Sequence, residues 1–112
     1  MMRFSLLGDR FGLTNEQEGI DEKEMLSIFA ENLRELRKHC GLSLVKLGED
    51  LDIPNQTLST YEKGKHIPSV IQAIKIASYF GLTVEEFIVC GFDEYPYDII
   101  ELYERRKKGY KL

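Results

Sequence analysis

The sequence predicts an all-α fold: a five-helix domain over residues 21–91, an arm before it over 1–20, and an extra helix in the extension 92–112. Three observations predict it. Apolar residues recur at spacings of three and four along most of the chain, the period of a helix buried on one face. Asp21, Ser43, Ser69 and Thr83 each precede such a stripe, as capping residues do. Gly64 and Gly81 follow stripes where helices stop.

Residues 1–20 have no helical period and breaks at Gly8-Asp9 and Gly12. Phe4, Leu6, Leu7, Phe11 and Leu13 are many apolar groups for a free tail. A disordered arm, or one packed on the domain or on a dimer mate, both fit. The first helix is expected from Asp21, three residues before Glu24 in a capping-box arrangement. Leu26, Phe29, Leu33, Leu36 and Cys40 make its buried stripe.

Ser43 caps a second helix carrying Leu44, Leu47 and Leu51. Pro54 disfavours helical geometry at Ile53 and suits the entry of the next helix. That third helix is expected from about Pro54 to Lys63, anchored inward by Leu58 and Tyr61. Gly64 and Pro68 end it. Two short helices joined by a tight turn make a helix-turn-helix.

Ser69 and Gln72 form a second capping-box pair for the fourth helix, with Ala73, Ile76, Ala77 and Phe80 inward. Val70, Ile71, Ile74 and Tyr79 add a second apolar flank. Thr83 and Glu86 cap the fifth helix, which turns Phe87 and Ile88 to the core. After the break at Tyr95-Pro96, Asp98 is expected in the first turn of a sixth helix, where an acid suits the dipole, with Ile99, Leu102, Tyr103 and Arg106 on one face. Glu101 with Arg105 and Glu104 with Lys108 are i,i+4 pairs in the favourable order. The basic run Arg105–Lys108 reads as a solvated helix end. The apolar face of this last helix is expected to cover the second flank of the fourth, within one chain or across a two-fold, because soluble chains avoid bare apolar patches.

The stretch Gly41–Ser69 resembles the phage Cro/repressor-type (Xre-like) DNA-binding domain. The resemblance rests on Arg37, Gly41-Leu42-Ser43, Leu47, Leu51, Ile53, Leu58-Ser59, Tyr61-Glu62-Lys63-Gly64-Lys65 and Pro68-Ser69. Ile76-Ala77 and Phe80-Gly81-Leu82-Thr83 continue it downstream. It spans roughly Phe29 to Val89 in register and without a gap. Leu44 departs from it, standing where the family has a phosphate-contacting Gln. Gly48 and Asp52 stand where Ala and Gly are usual.

The resemblance implies a five-helix Cro/repressor-like domain that binds double-stranded DNA as a transcriptional regulator and homodimer. It places Asn55, Gln56 and Thr60 at base edges. Gln and Asn can pair bidentately with adenine and a Thr methyl can touch thymine, so A·T positions are the expected preference. Backbone contacts are expected from Ser43 and Leu44 at a helix start, from Lys46, and from Thr57, Ser59, Lys63 and Lys65. Arg37 and Glu62 resemble the family's structural ion pair between the first helix and the end of the recognition helix. Two alternatives stay open. One is an antitoxin-type regulator whose arm or last helix binds a toxin protein. The other is a protein-interaction module that has lost DNA binding, favoured by Leu44 and the acidic balance.

The whole chain has 112 residues, 43% hydrophobic, enough for one small core with an extension. Its net charge of −4 argues against strong non-specific nucleic-acid binding, which rests on phosphate neutralisation. The acids concentrate in Glu16–Glu24, ahead of the domain, and Lys63 and Lys65 make the recognition segment mildly positive. Cys40 and Cys90 form no C-x-x-C and suit a reducing, cytoplasmic setting. No metal site is expected with His39 or His66, and no cofactor or catalytic constellation is recognisable. No apolar run approaches a membrane span or a signal sequence.

Overall fold

Six helices follow one another among the described residues: α1 (Glu22–His39), α2 (Leu44–Leu51), α3 (Asn55–Glu62), α4 (Val70–Tyr79), α5 (Val84–Val89) and α6 (Ile99–Lys107). The computed structural model describes residues 21–90 and 98–109. The expected arm over 1–20, the break at Tyr95-Pro96 and the boundary after Gly91 lie outside the described residues. No helix among the described residues is long and apolar enough to cross a membrane.

The helix starts follow local chemistry. Ser43 Oγ accepts from the Lys46 N–H at 3.0 Å, and Asp98 Oδ1 from the Glu101 N–H at 2.8 Å, which makes Asp98 the N-cap of α6 rather than a residue of its first turn. Thr83 and Glu86 form a full reciprocal capping box. Two expected boxes need correction. Asp21 makes no side-chain cap, and the first turn instead meets the helix dipole with the exposed charges of Glu22 and Glu24. At α4 only half the box forms. Ser69 Oγ accepts from the Gln72 N–H at 3.1 Å, but Gln72 Oε1 takes the Tyr61 hydroxyl and ties α3 to α4. Pro54 is the N-cap of α3 rather than its first residue, and Lys63 is its C-cap.

The core is the sum of the predicted stripes. Leu33 and Leu36 of α1, Leu47 of α2, Leu58 of α3, Ile76 of α4 and Phe87 of α5 are sealed from solvent. The Phe87 ring lies 5.2 Å from Phe29 and 6.2 Å from Phe80, centroid to centroid, in tilted pairs. Asn32 is a polar residue built into this core. The Asn32 amide donates to the carbonyls of Phe87 at 2.8 Å and Cys90 at 3.4 Å, satisfying acceptors at the end of α5. Asn32→Leu keeps the volume and removes both donors. It should cost about 1–2 kcal/mol, read as a lower urea midpoint at unchanged m-value. An unmoved midpoint would mean that water serves those carbonyls.

The last helix departs from its expected place. Ile99 and Leu102 of α6 are buried in the common core, and α6 packs on α1. His39 pairs with Glu104, and the Tyr103 ring stands edge-on to Phe80. Arg106 donates to the Gly81 carbonyl at 3.0 Å and to both oxygens of Glu86 at 3.2 and 2.7 Å. The expected cover over the flank of α4 is therefore corrected: α6 packs within the chain, and Val70, Ile71 and Ile74 stay exposed. The physical reason is the α4–α5 turn. Its open carbonyl and the Glu86 carboxylate offer Arg106 partners that the aliphatic flank cannot.

Candidate nucleic-acid interface

The candidate interface is built on α2, the turn after it, and α3. Leu47 and Leu51 hold α2 to the core, and Leu58 and Tyr61 hold α3. The turn brings the two backbones very close. The Ile53 N–H donates to the Gly48 carbonyl at 3.0 Å. A Cβ at Gly48 would lie 2.6 Å from the Ile53 carbonyl oxygen, a distance real Cβ atoms do not show. Asp52 takes φ +59°, the left-handed region that a short polar side chain enters at tolerable cost. Both departures from the family pattern thus belong to one turn: glycine sits at the close contact, and aspartate takes the left-handed position.

The far end of α3 is fixed by charge. Arg37 of α1 meets the Glu62 carboxylate side-on, Nε to Oε2 at 2.6 Å and Nη2 to Oε1 at 3.1 Å. Its Nη1 donates to the Leu42 carbonyl at 2.8 Å. One side chain therefore ties α1, the α1–α2 turn and α3 together. Glu62 is 8% exposed, and its hydrogen bond raises the Arg37 guanidinium further above its already high value.

The outward face of α3 divides in two. Gln56, Thr57 and Thr60 share a shallow depression of about 450 Å³ with His66 and Ile67. Asn55 borders a different one, of about 320 Å³, beside Val45, Glu49 and Asp52. Asn55 and Gln56 are exposed, while Thr57, Ser59 and Thr60 are half-buried. The Thr60 hydroxyl donates to the Gln56 carbonyl at 2.9 Å, so its methyl, not its donor, is left for a ligand. Lys63 and Lys65 are exposed past the end of the helix, where Gly64 at φ +69° closes it. The resemblance puts Gln56 and Thr60 in one set with Asn55; the depression instead sets them beside His66 and Ile67, which depends on how the chain turns back after Gly64.

At the start of α2, Ser43 Oγ accepts the cap bond, which leaves its O–H to donate, and the Leu44 side chain packs on the core. The N–H groups of Leu44 and Val45 have no carbonyl partner within the helix, as at any helix start. Lys46 is held by Asp50, Nζ to Oδ1 at 3.1 Å. The other Asp50 oxygen accepts from the Tyr79 hydroxyl at 2.6 Å. The Tyr79 hydrogen bond, then Lys46, keeps the Asp50 carboxyl below its usual range, and the same bond pushes the Tyr79 phenol up to about 12. The Lys46–Asp50 spacing is visible as i,i+4, but the Tyr79 clamp from α4 has no sequence signal.

Comparison with known proteins places this geometry. The family model described as Helix-turn-helix matches residues 33–87, from the middle of α1 into α5. An uncharacterised HTH-type transcriptional regulator of Bacillus subtilis (strain 168) is 39% identical over 54 residues, covering 48% of this chain and 82% of the relative. One from Methanocaldococcus jannaschii is 37% identical with the same shares covered. One from Methanothermobacter thermautotrophicus is 41% identical over 49 residues, 44% of this chain and 71% of the relative. No solved structure matches significantly.

Proposed function

The chain belongs to the helix-turn-helix family, and on that premise we propose that it is a transcriptional regulator binding specific double-stranded DNA sequences as a homodimer. The observation that carries the reading is the contrast between the two faces of α3. The inner face is locked by Leu58, Tyr61 and the Arg37–Glu62 pair, while the outer face offers the exposed amides of Asn55 and Gln56. Gln56 reads a base edge with the Thr60 methyl beside it, and Asn55 reads the neighbouring position, with A·T pairs preferred. Phosphates are met by the N–H groups at the start of α2, near Ser43 and Leu44. Lys46, Lys63 and Lys65 add charge, with Thr57 and Ser59 alongside. A single recognition helix reads only a few base pairs, so two copies supply useful specificity.

A second reading is a protein-interaction module without DNA binding. It draws on Glu49 and Asp52 beside Asn55, and on Asp50 holding the Lys46 ammonium. One titration series separates the two, using a selected site and its single-base variants. Gln56→Ala should lose about 1–3 kcal/mol at one base position and relax the preference there. Lys65→Ala should weaken all sequences alike and lower the salt slope by about one unit. Equal loss on every sequence for Gln56→Ala would remove it from the base-reading set. No binding at low salt would favour the second reading.

A further inference from the structure

The helices α1, α4 and α5 leave an apolar groove between them. Met25, Leu26 and Phe29 of α1, Val70 and Ile74 of α4 and Val84 of α5 surround a volume of about 490 Å³. Val70 is 74% exposed and Ile74 50%. With α6 packed elsewhere, nothing among the described residues covers this face. Contiguous apolar surface on a soluble chain marks a place where something docks.

We propose that the occupant is the chain's own N-terminal segment, Phe4–Leu13, docked in cis. The first argument is place. The described chain begins at Asp21, and Glu22 already lines the groove, so the segment is tethered beside it. Thr14–Ile20 joins the two, and seven residues span at most about 25 Å, enough to turn back along the walls. The second argument is chemistry. Phe4, Leu6, Leu7, Phe11 and Leu13 match an aliphatic and aromatic lining, and Arg3 and Arg10 are opposite in charge to Glu22 in that lining. The third is concentration. A short tether holds the segment at an effective concentration on the order of a millimolar, so an intrinsic affinity of ~0.1 mM suffices for about nine-tenths occupancy. A second copy at micromolar concentration has no such advantage.

The chain has no tryptophan, so Val70→Trp in the full chain places a single indole on the groove rim. Its emission should be blue-shifted and protected from acrylamide at every protein concentration. Adding Leu6→Ser, Leu7→Ser and Phe11→Ser should red-shift it and raise the quenching constant severalfold. Ile74→Glu should do the same from the groove side, with unchanged helical circular dichroism in all variants. Protection that survives the segment substitutions and falls on dilution identifies a second copy and overturns the proposal. An indole exposed in every variant also overturns it, since the groove is then empty. DNA takes no part in these readings, so they stand apart from the role assigned to α3.

Discussion

Arg37→Met should lower the stability of the folded chain by about 3–5 kcal/mol, because it strands the Glu62 carboxylate in a site 8% exposed. The same substitution removes the donor to the Leu42 carbonyl, so the α1–α2 turn loses a bond at the same time. Urea midpoints of Arg37→Met, Glu62→Leu and the double variant measure the effect. The double variant should recover part of the single loss, since the uncompensated charge is gone. A single-variant loss below about 0.5 kcal/mol would mean that solvent screens the pair into irrelevance. On the proposed reading of α3, sequence-specific DNA binding should fall further than the lost stability accounts for, because the pair fixes the direction of α3.

Gly48→Val should cost about 3 kcal/mol or more. Alanine in place of an interior helical glycine ordinarily gains about 1 kcal/mol. Here that gain is overridden, since even the first added carbon meets the Ile53 carbonyl at 2.6 Å, and the contact is backbone that cannot swing away. Gly48→Ala is therefore expected to destabilise despite its helix propensity. Pairing it with Asp52→Gly should recover part of the loss, because glycine relieves the left-handed cost of about 1–2 kcal/mol at that position and lets the turn adjust. Thermal midpoints of the two single variants and the pair decide this. Strict additivity would mean that the contact and the turn are independent.

The sequence by itself determined the six helices, most of their caps and the residues that face inward. These are local matters. A period of three and four names a buried face, and Ser43 and Thr83 need only a donor three residues away. The family resemblance was equally legible, because the motif from Arg37 to Ser69 lies on consecutive turns, and the comparisons bear it out.

The tertiary structure decided whatever joins residues far apart in the chain. Periodicity tells which face of α6 is buried but not what buries it, and Arg106 chose the end of α4 and Glu86 over the flank of Val70 and Ile74. Asn32 carries no sequence signal for burial; the carbonyls of Phe87 and Cys90, more than fifty residues on, take its amide. Asn55 and Gln56 are adjacent in sequence yet border different depressions, because a helix turns by about 100° per residue. Tyr79 reaches Asp50 from another helix and so sets how freely Lys46 offers its charge. Each of these depends on a partner whose position only the packed core fixes.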